Sequence, residues 1–330
     1  MRFSVLGAGG WGTAIARLLA LGGHDTFLWA RRPEHASSLA ETRENERYLP
    51  GVLLPAERLT ITADLRESLD ADALFLAVPS FAINDLLSRI APSIPANSTL
   101  INLAKGLERS SRQTASELIE DRLPKASAFA LSGPSHAEEV GRDIPTAVVL
   151  AGKDLSLGER LQREIATPRF RVYLSSDVRG VELCAALKNV IALATGISDG
   201  LGYGDNSRGA LITRGLTEMA RFGRTLGIKE KTLFGLAGLG DLVATCTSQH
   251  SRNRYVGCRL GAGDALETIL GEMSMVAEGV YATGIVFEMA RERGIEMPIT
   301  EAVASLLAGE VDPPSLVERI MTRDPKREDG

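Results

Sequence analysis

Lys188 stands in Val181–Ala194, a stretch that is apolar almost all the way round a helix; between Glu182 and Thr195 only Lys188 and Asn189 are polar. Such a helix is buried on most sides, and an unpaired ammonium taken out of water costs several kcal/mol. The lysine therefore either reaches along its stem to solvent or acts as an acid, base or electrophilic group whose pKa its surroundings tune. Asp241 follows the glycine-rich segment Gly235–Gly240. Those glycines disfavour a helix before it, so Asp241 reads as an N-cap or as the carboxylate that keeps Lys188 charged. Thr245 lies one turn further along the same face. Ser251, Arg252 and Asn253 open the next helical stretch. A capping serine, free helix-end N–H groups and a guanidinium fork can gather a phosphate, the plainer reading being an exposed basic helix start.

A second set of residues suits a dinucleotide. Gly7-Ala8-Gly9-Gly10-Trp11-Gly12 fits G-x-G-x-x-G directly after an apolar run and before an amphipathic stretch. In that context Gly7 makes the tight turn, Gly9 lets the backbone approach a pyrophosphate, and Gly12 lets helix and strand pack closely. NAD enzymes usually carry an acid about 20 residues further on, for the ribose 2′-hydroxyl. Here that place reads Trp29-Ala30-Arg31-Arg32, with no acid before Glu34. Two guanidiniums suit a 2′-phosphate, so NADP(H) is preferred with NAD(H) possible; the other reading is that both arginines are solvated surface charges. Lys105 and Ser135 sit in loops that follow apolar runs, where open α/β sheets bind their ligands.

These groups need a scaffold, and the first half supplies one. Phe3–Leu6, Thr26–Trp29, Leu74–Val78, Thr99–Asn102, Phe129–Leu131, Ala147–Leu150 and Arg171–Leu174 read as strands, alternating with helical stretches such as Trp11–Leu21 and Ile83–Ile90. That alternation predicts an α/β domain with a doubly wound parallel sheet, and both-face burial explains continuous apolar runs such as Ala73–Val78. From Val178 the pattern is helical, with three-to-four spacing in Val181–Ala194, Ala210–Leu226, Gly279–Arg293 and Ser315–Met321. The expected division is 1–177 for the nucleotide domain and 178–330 for an all-α substrate domain, without a flexible linker. The charged end, 323–330, is expected to fray.

The 330 residues suit about two domains. With 37 basic and 42 acidic side chains, the net charge of −5 leaves no basic excess for binding nucleic acid through bulk charge. Three cysteines with wide spacing fit neither a disulfide framework nor a zinc knuckle, and point to a reducing, cytoplasmic setting. No apolar run reaches the ~18–20 residues that span a bilayer, and the N-terminus lacks a signal-peptide pattern. His24, His35, His136 and His250 are scattered, so no metal site is expected. Gly133-Pro134-Ser135-His136-Ala137 misses the second glycine of a hydrolase elbow. A homodimer is expected from base rates.

Taken together, GAGGWG at Gly7, AKGL at Ala104, SGPSHA at Ser132, ELCAALKNV at Glu182, GLGDLVATCT at Gly238, SRNR at Ser251 and EGVYAT at Glu278 make the chain resemble bacterial NAD(P)-dependent glycerol-3-phosphate dehydrogenases over essentially its whole length. The resemblance implies a Rossmann-type domain joined to a helical domain like that of 6-phosphogluconate dehydrogenase. The implied reaction interconverts dihydroxyacetone phosphate and sn-glycerol 3-phosphate, for membrane lipids. It also implies roles: Lys188 as the catalytic lysine; Lys105 touching cofactor and substrate; Gly133, Ser135, Asp241, Ser251, Arg252 and Asn253 touching substrate; and Gly10, Trp11, Arg31, Arg32, Ala137, Arg252, Val276 and Glu278 touching cofactor. Asn189 and Thr245 are expected to orient the reacting groups. Ser135 stands where many relatives carry Thr, which keeps the hydroxyl. A β-hydroxyacid or 6-phosphogluconate-type dehydrogenase, and a nucleotide-binding sensor without catalysis, are the competing readings.

Overall fold

Ten strands precede the helical half. They are β1 (Arg2–Leu6), β2 (Asp25–Trp29), β3 (Glu44–Asn45), β4 (Leu49–Leu53), β5 (Leu59–Thr62), β6 (Ala73–Leu76), β7 (Thr99–Asn102), β8 (Ser127–Ser132), β9 (Thr146–Gly152) and β10 (Phe170–Ser175). In this computed structural model, residues 1–322 and Arg327 are described; the charged end expected to fray lies outside them, Arg327 excepted. Eight strands form one sheet in the order β10-β9-β8-β7-β6-β1-β2-β5, and β3 pairs with β4 in a separate ribbon. β6 and β7 are buried at every position, as expected for strands covered on both faces. Alternate residues part to opposite layers. Phe3, Val5 and Phe75 pack with the helix Gly10–Leu21, whereas Leu6, Leu74 and Leu76 pack with Ile83–Ile90 and Ala115–Arg122.

Two features correct the sequence reading. The sheet is mixed, because β9 runs antiparallel to β8 and carries β10 with it in parallel. Between β8 and β9 the chain forms only the four-residue helix Ala137–Val140, which is no crossover helix, so the chain doubles back. β5 and the ribbon escaped notice. β5 is a sheet-edge strand, half polar and only partly buried, and gives no apolar signal.

The helical half is built on Val178–Gly200, 23 residues long and nearly all buried. Asp177 caps it, accepting from the Gly180 N–H at 3.1 Å. This helix is long and apolar enough to cross a membrane by length and composition, although Glu182, Lys188 and Asn189 interrupt its apolar run. Its apolar window is wholly enclosed by the protein itself. The helix Arg252–Gly261 crosses it at backbone contact. A Cβ on Gly196 would come within 2.1 Å of the Arg254 carbonyl oxygen, and one on Gly257 within 2.2 Å of that of Leu193. Only glycines permit that approach, and it brings Asn253 against Asn189. Helices Asp205–Thr225, Asp241–Thr247 and Glu278–Glu292 also pack against Val178–Gly200; among the described residues the helical half contains no strand.

Candidate active site

The C-terminal ends of the parallel strands and the buried middle of Val178–Gly200 face one another across a cleft of about 510 Å³. Every residue singled out from the sequence lines it except Gly133, which lies behind the wall. The Gly133 carbonyl accepts from Lys105 Nζ at 2.9 Å and from Ser135 Oγ at 2.8 Å. Its backbone has φ +141°, and a Cβ there would come within 3.1 Å of the Val148 Cα, so its part is to shape the loop.

At the nucleotide end the glycines divide their tasks as expected. A Cβ on Gly12 would lie 2.0 Å from the Gly7 carbonyl oxygen, whereas one on Gly9 would meet nothing within 4 Å. The open side at Gly9 is where a ligand's phosphates can approach. Gly9 also precedes a helix that no side chain caps, so its leading N–H groups and positive dipole end are available to an anion. Trp11 Nε1 is buried without a hydrogen-bond partner among the described residues, a donor held in reserve on the cleft wall. Together these features fit a dinucleotide. Arg31 and Arg32 are exposed beyond β2; Arg32 donates weakly to the Tyr48 hydroxyl at 3.3 Å. Arg89, absent from the sequence reading, lines the same end with its guanidinium 5.5 Å from the Trp29 ring centre.

At the other end a buried carboxylate joins two lysines. Lys188 Nζ lies 2.7 Å from Asp241 Oδ1 and Lys105 Nζ 2.9 Å from Asp241 Oδ2. Lys188 also donates to Thr245 Oγ1 at 2.6 Å, and Thr245 donates to the Asp241 carbonyl at 2.6 Å. Asp241 is not the N-cap. The preceding Leu236–Gly240 forms a turn of π-helix that runs straight into it, and Gly240 occupies the cap. The wider turn accepts the glycines, leaving the carboxylate free for the lysines. Burial pushes the Asp241 carboxyl up, but Lys105 and Lys188 outweigh it and hold it below the ordinary carboxylate range. Burial lowers Lys188 to about 7 against the pull of Asp241. With both lysines charged, two positive charges and one negative leave the cluster with a net positive field.

The surrounding polar groups are committed in a chain. Asn189 Nδ2 donates to the Lys105 carbonyl at 2.8 Å, and Asn253 Nδ2 donates to Asn189 Oδ1 at 2.9 Å. The Gly279 N–H in turn donates to Asn253 Oδ1 at 2.9 Å. Ser251 caps its helix by accepting from the Arg254 N–H at 3.2 Å, as its place in the sequence suggested. Arg252 turns from that first turn into the cleft, paired with no side chain among the described residues. Crowding by protein atoms lowers its pKa, with Glu278 and Glu138 pulling the other way; it stays charged. Glu278, expected at the cofactor, lines the cleft but spends both oxygens on Ser80, accepting from its N–H at 2.8 Å and its hydroxyl at 2.6 Å. Ser80 was missed, although it follows β6, and strand ends on this side of the sheet were the places to look. His136 and His250 also line the cleft, their ring centres 6.0 Å apart. Burial, Lys105 and Lys188 keep the His136 imidazole below its usual pKa.

A glycine-rich turn at the C-terminal end of an inner strand of a doubly wound sheet, facing a buried lysine–aspartate pair on an all-α domain, defines a nicotinamide-dinucleotide-dependent dehydrogenase of the Rossmann type. The chain belongs to the NAD-dependent glycerol-3-phosphate dehydrogenase family, whose N-terminal part matches residues 2–157 and whose C-terminal part matches residues 177–318. It is 45% identical over 332 residues to a glycerol-3-phosphate dehydrogenase [NAD(P)+] of Chlorobium limicola, covering 99% of both chains. It is 48% identical to the protein of that name from Geobacter metallireducens, over 100% of this chain and 99% of the relative. The crystal structure of glycerol-3-phosphate dehydrogenase from Coxiella burnetii superposes with a TM-score of 0.94 at 41% identity, covering 98% of this chain and 99% of that one.

Proposed function

We infer that this chain interconverts dihydroxyacetone phosphate and sn-glycerol 3-phosphate with NAD(P)H, and so supplies glycerol phosphate for phospholipid synthesis. The observation that carries the chemistry is the Lys188–Asp241–Lys105 cluster, which lines the same cleft as Arg252. Gly7, Gly9, Gly10, Trp11 and Gly12 would hold the dinucleotide, which would supply the hydride when bound. Arg252, with the N–H groups of the helix that Ser251 caps, holds the substrate phosphate. That anchor fixes the ketone and removes much of the entropic barrier. Lys188 donates a proton to the carbonyl oxygen during reduction and removes it in the reverse direction; a pKa near neutrality suits both tasks. Lys105 adds positive charge where the alkoxide develops. Asp241 keeps Lys188 protonated, Thr245 and Asn189 fix the geometry, and Ser135 presents its hydroxyl beside Lys105. A non-catalytic sensor would need no buried lysine–aspartate pair.

Arg31 and Arg32, with no acid at the end of β2, favour NADPH over NADH. The division into 1–177 and 178–330 is supported by Asp177, which ends the sheet's last loop and caps the first long helix. A cytoplasmic homodimer agrees with the three free cysteines and with base rates for soluble enzymes; light scattering at twice the 35.3 kDa chain mass tests the dimer. The deciding experiment follows NADPH and, separately, NADH absorbance with dihydroxyacetone phosphate and with unphosphorylated dihydroxyacetone. Fast loss with the phosphate ketone alone supports the reaction and the Arg252 anchor, and the two cofactor rates give the preference. No turnover by folded, NADPH-binding protein would refute the reading.

A further inference from the structure

Glu182 is buried on the long helix, 3% exposed, and no cation pairs with it among the described residues. A lone carboxylate in such a place is costly. Its oxygens are held by hydrogen-bond donors: Asn102 Nδ2 at 2.7 Å and the Ser116 N–H at 3.2 and 3.3 Å. Asn102 ends β7, and its side chain grips the loop that follows. Its Oδ1 accepts from the Ala104 N–H at 2.8 Å, and its Nδ2 also donates to the Ala104 carbonyl at 3.1 Å. The next residue is Lys105. Asn189, two helical turns after Glu182 and so on the same face, takes the Lys105 carbonyl at 2.8 Å. The helix that carries Lys188 thus holds the Ala104–Lys105 segment at both ends.

We propose that Glu182 is a positioning residue for Lys105, acting through Asn102 to set the loop that places the Lys105 ammonium on Asp241. This rests on the reading of Lys105 as part of the active site. The plainer alternative is that Glu182 merely caps the helix Ala115–Arg122 through Ser116, which requires no link to Lys105.

The test measures kcat at saturating NADPH and dihydroxyacetone phosphate for Glu182→Met, which removes both acceptor oxygens, in the native chain and in a Lys105→Ala background, with melting temperature followed in parallel. Misplacing a reacting group by about 1 Å can cost up to a hundredfold, so Glu182→Met should lower kcat about tenfold or more in the native chain while KM for NADPH moves less than about twofold. In the Lys105→Ala background it should change kcat less than about twofold, because its target is gone. Asn102→Ser, which cuts the same link and keeps the Glu182 carboxyl group, should behave alike and serves if Glu182→Met folds poorly. An equal fold-loss in both backgrounds overturns the relay while leaving Lys105 in the site. A Lys105→Ala enzyme with native kcat overturns both the relay and the assignment of Lys105.

Discussion

Replacing Asp241 with Asn tests the central claim, that a carboxylate holds the proton on Lys188. The substitution keeps the side chain's shape and an oxygen for hydrogen bonding, and removes one negative charge. Unit charges 2.7 Å apart attract by roughly 6 kcal/mol at an effective dielectric of about 20, equivalent to about four pKa units. Local relaxation and loss of a proton from Lys105 return part of this, so a fall of at least about two units in Lys188 is expected. At a pH above its titration range, a fall of about two units cuts the protonated fraction of Lys188 about a hundredfold. Ketone reduction needs that proton. The assay is kcat for dihydroxyacetone phosphate reduction against pH, with both substrates saturating. The limb governed by Lys188 should move at least two units to acid, so that part of the lost rate returns on acidification. A uniform drop with the limb unmoved would show that Asp241 only positions Lys188, and the electrostatic argument would fail.

The nucleotide turn offers a contrast within one motif. Gly12→Ala places a Cβ 2.0 Å from the Gly7 carbonyl oxygen and should cost at least about 3 kcal/mol of stability. Gly9→Ala meets no protein atom, so it should melt normally yet bind NADPH at least about tenfold more weakly; fluorescence titration and thermal melts separate the two, and equal effects would contradict the assigned tasks. Arg252→Ala removes a charge-assisted phosphate contact of about 1.5–3 kcal/mol. KM for dihydroxyacetone phosphate should rise about ten- to a hundredfold while dinucleotide binding changes little; a defect confined to kcat argues against the anchor. Burial raises Glu218 to about 7, so the folded protein holds that proton more tightly than the unfolded chain. Its stabilising effect is complete below about pH 4 and is lost as pH rises through about 7. Glu218→Gln should therefore flatten the fall in Tm between about pH 5 and 8, and an unchanged slope would count against it.

Strands buried on both faces were legible because nothing polar interrupts them: Ala73–Leu76 and Thr99–Asn102 stand almost as expected. β5, with threonines facing a half-open edge, carries no such signal. The antiparallel return of β9 depends on the short connection after β8, and strand composition does not reveal direction. Lys188 was legible for a different reason. It breaks a rule of its surroundings, a charge among apolar residues, and such violations point to function. Glu182 breaks the same rule six residues earlier, yet it was read only as part of a motif, because its partners Asn102 and Ser116 lie some seventy residues away in the chain. Asp241 shows the limit most clearly. Glycines in sequence argue against a helix before it, and that argument assumes an ordinary α-helix. A π-turn admits them, the cap passes to Gly240, and the carboxylate becomes available to two lysines from separate elements. Which polar side chains meet is decided by how elements cross, as where glycines let the Arg252–Gly261 helix touch the backbone of Val178–Gly200 and so bring Asn253 against Asn189. The residue types of the site could therefore be read one by one, whereas their pairing required the packing.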